Sequence, residues 1–282
     1  MIRAIKTWWR NLTEGSNGVS IIVPFQCKDL TSQRVKNWKW LERYWSYHFP
    51  GAEIIVGVDE VSEKNLGIPF SKAAAINEAV SRAKGDVLVI VDADGYISAK
   101  HVRHCIKEIR ESRADRERLW FIPYRQFYRL TQAASRRILE SNPHNPYMPP
   151  TPPNVNDIQC TSGSQHGHWF GAGIQIMPRE AFKEVGGWDE RFRGWGGEVH
   201  AAMRAMDTLY WSHKTLPGQF LHIWHPMIDT QGDNKDYVGW ESRIWTNQLS
   251  SGANDELSAR YYGAYNDRHR MRKLVDEDRK KR

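Results

Sequence analysis

Two aspartates, Asp92 and Asp94, follow the apolar run Val87–Val91 and are separated by one small residue. An uninterrupted apolar run of this kind is typical of a buried strand, so both carboxylates lie where the strand ends. Carboxylates this close repel one another unless a positive charge lies between or beside them. A bound divalent cation is one source of that charge, and an acidic surface turn without a ligand is the simpler alternative. The pair therefore raises a metal site as the first chemical hypothesis.

The segments around this pair alternate between strand and helix. Continuous apolar runs predict buried strands at 19–25, 52–60, 86–95, 118–124 and 219–227. Apolar residues at helical spacing predict helices at 31–49, 71–85 and 98–112. This alternation is typical of an α/β fold with a mostly parallel sheet that carries helices on both faces. Such sheets bind ligands beyond the carboxyl ends of their strands, where Phe25, Asp59 and Asp92–Asp94 are predicted to lie.

The second half of the chain has a different texture. A proline-rich stretch at 142–157 predicts a long irregular loop, and 179–206 reads as helix, glycine loop and helix. The segment 229–256 is polar and carries no recognisable pattern. The sequence predicts a basic N-terminal segment at 1–18, a main domain at 19–227 and a C-terminal extension at 228–282. The main domain has two halves, at 19–124 and 158–227, which the proline-rich loop joins.

Composition excludes several classes of protein. Of the 282 residues, 40% are hydrophobic, which is too many for a disordered chain. No apolar stretch approaches the roughly 18 residues of a membrane span, and the start does not read as a secretory signal. The three cysteines lack metal-ligand spacing, so we expect a reducing, cytoplasmic compartment. The net charge of +7 favours anionic partners, and the "WWR" start fits peripheral contact with lipid.

Four stretches together resemble the GT-A type of nucleotide-sugar glycosyltransferase, in particular its β-1,4-galactosyltransferase and polypeptide N-acetylgalactosaminyltransferase branches. They are "IIVPFQCK", "FSKAAAIN", "VDAD" and "GGWDERFRGWGGE", and the resemblance covers roughly 19–227. It implies a GT-A (Rossmann-like) fold with a loop and helix elaboration on the acceptor side. It also implies a donor site formed by Pro24, Phe25, Gln26, Lys28, Asp59, Phe70, Lys72, Asp92 and Asp94. Gln26, Lys28 and Lys72 stand where the family has arginines, and Asp59 either contacts the base or caps the next turn.

The resemblance also implies a metal centre for Mn²⁺ or Mg²⁺. Asp94 is expected to bind the cation directly, while Asp92 helps by holding ribose or water. A histidine completes the family's site, and His222 is the better match, with His225 as the second choice. An imidazole ligand favours Mn²⁺ over Mg²⁺. The alternative for either histidine is a side chain that simply satisfies a strand end.

On the acceptor side, the resemblance implies roles for Trp195, Gly196, Gly197, Asp189 and Glu198. Trp195 offers a flat apolar face, and glycines let the backbone approach a sugar closely. Glu198 is the candidate general base for the acceptor hydroxyl. The family motif continues with aspartates, whereas this chain continues Val199-His200. Three alternatives follow: Glu198 is the base, the enzyme retains configuration and needs none, or Glu198 only caps a helix.

The sequence thus predicts a metal-dependent glycosyltransferase that moves a sugar from a nucleotide sugar, expected to be a UDP-sugar, to a hydroxyl acceptor. A modified base in DNA, a protein and a glycan remain open as acceptors. The alternative is a catalytically inactive protein that binds a nucleotide sugar or nucleic acid on the same fold, favoured by the missing acid after Glu198.

Overall fold

The computed structural model describes residues 17–27, 29–65, 67–114, 117–163, 173–194, 196–226 and 252–280. Its strands are β1 (Val19–Pro24), β2 (Glu53–Gly57), β3 (Val87–Val91), β4 (Gly95–Tyr96), β5 (Phe121–Ile122), β6 (Gln126–Leu130), β7 (Ile158–Gly163), β8 (Ile174–Pro178), β9 (Lys214–Thr215) and β10 (Gln219–His222). Its α-helices are α1 (Gln33–His48), α2 (Glu60–Lys64), α3 (Lys72–Arg82), α4 (Ala99–Ala114), α5 (Gln132–Glu140), α6 (Arg179–Val185), α7 (Glu198–Leu209), α8 (Gly252–Ala264) and α9 (Arg268–Arg279). Within this part of the chain, none of the helices has the length and apolar character needed to cross a bilayer.

The central sheet has the strand order β2-β1-β3-β8-β5-β9. Strand β1 lies between β2 and β3 and runs parallel to both. Every residue of β1 and β3 is buried, as continuous apolar runs predict for a sheet covered on both faces. The predicted α/β fold is therefore confirmed. Strand β8 pairs antiparallel with both β3 and β5, so the second half of the sheet is mixed.

Several predicted strands are shorter than their apolar runs. The run at 86–95 is interrupted after Val91, where the Gly95 N–H donates to the Asp92 carbonyl at 2.9 Å and closes a turn. The chain then enters β4, which belongs to a second sheet of order β4-β10-β6-β7. The run at 118–124 forms regular strand only at Phe121–Ile122. The two aspartates thus occupy a turn that passes from one sheet to the other.

Helices α1 and α3 flank the parallel part of the central sheet. The Ser32 hydroxyl caps α1 by accepting from the Val35 N–H, and α1 buries Trp38, Leu41 and Trp45 among other side chains. Ser71 caps α3 in the same way. Helix α3 approaches β2 so closely that a Cβ at Gly57 would collide with the Ala75 carbonyl oxygen. Glycine at 57 therefore sets the position of α3, the helix that begins at Lys72.

The C-terminal helices α8 and α9 pack against the motif that contains Asp189. The charged sequence at the C-terminal end is typical of a solvated helix. Helix α9 nevertheless buries Met271, Leu274 and Val275. The Asp189 carboxylate accepts from the Arg191 guanidinium at 2.6 Å and from the Tyr261 hydroxyl at 2.9 Å. Its side chain is only 2% exposed. The Asp189 oxygens thus have internal partners in this structure, and acceptor binding by Asp189 stays a prediction.

We expect Asp189→Asn to lower the free energy of unfolding by about 3 kcal/mol, since it removes the closest counter-charge of the largely buried Arg191 guanidinium and leaves it only the longer contact to Glu277. Urea denaturation followed by circular dichroism measures the loss. The matched control is Glu60→Gln, which removes one charge of the exposed Glu60–Lys64 pair and should change stability little. Equal midpoints for Asp189→Asn and the unmodified protein would contradict a structural role.

Candidate functional site

The site forms where the two sheets meet. Strands β1 and β3 are parallel, so Phe25 and Asp92 follow their carboxyl ends at the same edge. Strand β10 runs antiparallel to β4, with His222 opposite Gly95. The Ile223 N–H donates to the Asp94 carbonyl at 2.8 Å and extends this pairing past the strand. Backbone pairing therefore brings the histidine segment against the aspartate turn.

Asp94, His222 and His225 form a cluster that fits a metal ion. The Nε2 atom of His225 lies 3.1 Å from Asp94 Oδ2, and Nε2 of His222 lies 3.5 Å from Asp94 Oδ1. One ligand atom from each residue lies within 4.8 Å of the others. Both of the histidines considered as alternatives thus reach Asp94, while Asp92 is outside this group. One carboxylate oxygen and two imidazole nitrogens form a mixed donor set that a divalent first-row transition-metal ion can occupy.

Burial and neighbouring charges in the cluster favour the protonation states in which its side chains can bind a cation. Burial lowers the pKa of His222 well below its usual value, so the ring is neutral and keeps a lone pair. Burial alone would raise the pKa of Asp94, but His222, His225 and Arg34 hold it well below the ordinary range. An ionised carboxylate beside a neutral imidazole is the state in which such residues bind a cation.

Arg34 is a site residue that the sequence did not single out. Its Nη2 atom lies 3.8 Å from Asp94 Oδ2, and its guanidinium lies over the Phe25 ring at 5.8 Å from the centroid. The Arg34 side chain remains 42% exposed, so its guanidinium lies on the solvent-accessible side of the cluster. The only signal in the sequence was its place in the first turn of α1, which many solvated arginines share.

Lys72 lies between two carboxylates at the edge of the cluster. Its Nζ atom is 2.5 Å from Asp92 Oδ1 and 5.9 Å from the centroid of the Trp188 ring. Although burial opposes it, the charges of Asp92 and Glu198 raise the pKa of Lys72, so the ammonium persists. Burial raises the pKa of Asp92 and the neighbouring Asp94 adds to this, while Lys72 opposes both. The positive charge of Lys72 thus offsets the negative charge of Asp92 in this structure.

Glu198 is the first residue of α7 and follows a glycine loop. Gly194, Gly196 and Gly197 all have positive φ angles, of 74°, 103° and 92°, which other residues adopt only with strain. The backbone N–H groups of Gly196 and Glu198 interact with the Glu198 carboxylate, while burial raises its pKa. Its Oε2 atom is buried and has no hydrogen-bond partner among the described residues. Glu198 therefore contacts the helix start with part of its carboxylate and keeps one oxygen available.

Asn77 joins the two halves of the site. Its side-chain amide donates to the Trp188 carbonyl at 2.8 Å and accepts from the Trp188 N–H at 2.9 Å. A Cβ at Gly187 would meet the same amide oxygen, and Gly187 has a positive φ of 78°. This contact explains why the motifs "FSKAAAIN" and "GGWDE" occur together, since each fixes the position of the other.

The remaining residues predicted for the donor lie along the carboxyl edge of β1 and β2. Pro24 ends β1, and Gln26 Oε1 accepts from the Ser62 hydroxyl at 3.0 Å. Asp59 takes the capping alternative: it caps α2, accepts from the Ser71 N–H at 2.8 Å and pairs with Arg193 at 2.9 Å. Because its side chain is 1% exposed, Asp59 is a structural residue here.

Other predicted residues contact the glycine loop or lie beyond the described ranges. The Phe70 carbonyl accepts from the Gly194 N–H at 2.9 Å, so it holds the loop at the donor side. Lys28 and Trp195 lie outside the described residues, as does the N-terminal "WWR" predicted to contact lipid.

Comparisons with known proteins match parts of the chain to two glycosyltransferase family models. The family model for glycosyl transferase family 2 matches residues 60–172, and the model for the N-terminal domain of galactosyltransferase matches residues 159–225. Two solved structures match at 15% identity. Drosophila β1,4-galactosyltransferase 7 with manganese, UDP-Gal and xylobiose has a TM-score of 0.37, over 73% of this chain and 71% of that chain. The catalytic domain of the same enzyme with xylobiose has a TM-score of 0.38, over 84% and 82%. No curated protein matches the chain in sequence.

We expect His222→Ala and His225→Ala each to weaken Mn²⁺ binding by on the order of tenfold or more, because each removes one of three clustered ligand atoms. Calorimetric titration of metal-free protein with MnCl₂ measures the affinity. The matched control is His104→Ala on the exposed face of α4. If neither histidine variant differs from this control, the cluster does not hold the metal.

Proposed function

We propose that this chain, a glycosyltransferase of the GT-A type, transfers a sugar from a UDP-sugar to a hydroxyl group with the help of a divalent cation, Mn²⁺ or Mg²⁺. The observation that carries the proposal is the cluster of Asp94, His222 and His225 at the carboxyl edge of the sheet. Lys72 and Glu198 border this cluster, so charge for the donor and a base for the acceptor adjoin one another.

The leaving group requires a positive environment. When a sugar leaves a nucleoside diphosphate, negative charge grows on the diphosphate oxygens, and a cation held by Asp94, His222 and His225 supplies its neutralisation. Arg34 adds a fixed positive charge 3.8 Å from Asp94 and faces the open side of the cluster. The sequence has Gln26 where the family has an arginine, and Arg34 offers the guanidinium that this position lacks.

Glu198 is suited to take the proton from the acceptor. As the acceptor oxygen attacks the anomeric carbon, the bond from that carbon to the phosphate oxygen breaks and the hydroxyl proton passes to the Glu198 carboxylate. The buried Oε2 atom lacks a protein partner among the described residues and is therefore free to accept it. The nearby Lys72 cation favours the ionised form of Glu198. This arrangement corresponds to inversion at the anomeric carbon.

A donor screen tests the proposal directly. The protein is incubated with a panel of UDP-, GDP- and TDP-sugars, with and without Mn²⁺, and release of the nucleotide is measured. We expect release from a UDP-sugar that depends on the cation. Release from another nucleotide alone would overturn the assignment to uridine, and cation-independent release would overturn the role of the cluster.

We expect Asp94→Ala to abolish Mn²⁺-dependent binding of UDP while the protein stays folded, because both histidines then face a site without its carboxylate. Calorimetry with UDP in the presence of Mn²⁺ measures the effect, and circular dichroism checks the fold. Glu111→Ala, an exposed acid in α4, serves as the control. Unchanged affinity for UDP would sink the metal assignment.

We expect Glu198→Gln to lower turnover by about 100-fold or more while UDP binding is retained, the usual scale for loss of a general base. Burial raises the pKa of Glu198 above its ordinary value of 4.5, so the ionised base is lost as the pH falls through this raised pKa. The decline of turnover on the acid side should therefore disappear in the variant. Near-normal turnover would leave Glu198 as a helix-start residue and nothing more.

A further inference from the structure

A cavity of about 290 Å³ lies between helices α1 and α5 and is separate from the cluster of Asp94, His222 and His225. The side chains that give it chemical character are Gln33, Lys36, Trp40, Gln132, Arg136 and Trp224. Aromatic surface thus lies beside amides and cations in one half-open cavity. Among the described residues, none that line this cavity is acidic.

Side-chain contacts hold the Trp40 indole, and backbone hydrogen bonds hold Trp224. Trp40 is buried, stacks on Tyr44 with an interplanar angle of 8°, and donates from Nε1 to the Ser141 carbonyl at 3.0 Å. The backbone of Trp224 donates to the Ser135 hydroxyl at 2.8 Å and accepts from the Asn37 amide at 3.0 Å. The Trp40 indole and the backbone of Trp224 therefore occupy fixed positions in the wall of the cavity.

The rim is positively charged. Lys36 in α1 and Arg136 in α5 are both exposed, and neither forms an ion pair with another described residue. Gln33 and Gln132 add amides on the same two helices, and the Gln33 amide donates to Asn37 at 2.8 Å. Two exposed cations without a direct ion pair, on neighbouring helices, create a site that favours an anionic group, although the Asp29 carboxylate interacts with Lys36 at longer range.

The cavity adjoins the metal cluster along the chain. Trp224 lies between His222 and His225, and Gln33 immediately precedes Arg34. Consecutive Cα atoms are about 3.8 Å apart, so a molecule in the cavity contacts the same short segments that carry the cluster. The cavity and the cluster therefore share two chain segments, the first turn of α1 and residues 222–225.

We propose that this cavity is an acceptor subsite for a saccharide that carries an acidic group, an inference that rests on the proposed glycosyl transfer. The face of Trp224 packs against the apolar face of a sugar ring, and the glutamine amides bond its hydroxyls. Lys36 and Arg136 bind its carboxylate or sulfate. A nucleic-acid strand fits less well, because it requires a track of phosphate contacts longer than two cations supply.

Calorimetry without donor and without metal tests this subsite separately from catalysis. The probes are a tetrasaccharide of alternating glucuronate and N-acetylglucosamine, its carboxyl-reduced neutral form, a sulfated derivative of that neutral form, and an eight-residue oligothymidylate. We expect the two acidic saccharides to bind at least about fivefold more tightly than the neutral one. A difference between them tells whether carboxylate or sulfate is preferred.

Variants locate the binding in the cavity. We expect Lys36→Ala and Arg136→Ala each to weaken binding of the acidic saccharides about two- to fivefold, and the double variant about tenfold, the scale of exposed charge pairs. Lys39→Ala is the matched control, since Lys39 is an exposed lysine of the same helix that does not line the cavity. Unchanged melting temperatures show that the variants remain folded.

Three results would overturn the subsite: equal affinity for acidic and neutral saccharides, equal affinity of the double variant and the control, or tighter binding of the oligothymidylate that the same variants abolish. None of them bears on the metal cluster, because nucleotide release is measured without these probes. Conversely, failure of nucleotide release would leave a positive binding result intact as evidence of a saccharide site.

Discussion

The pairing of β4 with β10 is the constraint on which the site depends. It sets His222 opposite Gly95 and joins Ile223 to the carbonyl of Asp94, so two segments more than a hundred residues apart in sequence share one edge. Strand β3 ends inside the central sheet, whereas β4 already belongs to the second sheet. The turn between them must therefore present its side chains at the junction. A metal site built this way needs no dedicated loop, because backbone hydrogen bonds determine where its ligands lie.

The second constraint is electrostatic. Asp92, Asp94 and Glu198 bring three carboxylates into a region of low exposure, where Asp94 adds to the raised pKa of Asp92 and Asp92 adds to that of Glu198. Lys72 interacts with both Asp92 and Glu198, and Arg34 lies beside Asp94. The protein thus supplies part of the positive charge itself.

The sequence predicted those features that arise from local patterns. The buried strands β1 and β3, the capped helices α1 and α3 and the glycine loop before Glu198 all follow from periodicity and turn residues. The pairing of Lys72 with Asp92, the approach of His225 and Arg34 to Asp94, and the burial of Asp189 against Tyr261 depend on packing between distant segments. Residue spacing along one chain carries no information on such contacts. For the same reason the sequence did not predict the burial of α9, because most of its residues are charged and its apolar residues form only a narrow stripe.

The two halves of the site meet at the N-termini of two helices. Lys72 begins α3 and Glu198 begins α7, and the two side chains interact. Helix N-termini carry partial positive charge and unpaired N–H groups, which favour carboxylates and phosphates nearby. The bonds of Asn77 to Trp188 hold α3 against the segment that leads into α7, so the two N-termini keep a fixed separation. Glu198 is therefore exposed to opposing effects: burial favours its protonated form, while the helix start and Lys72 favour its ionised form. Burial and the neighbouring positive charge thus act on the protonation of Glu198 in opposite directions, which is the environment expected of the base role proposed above.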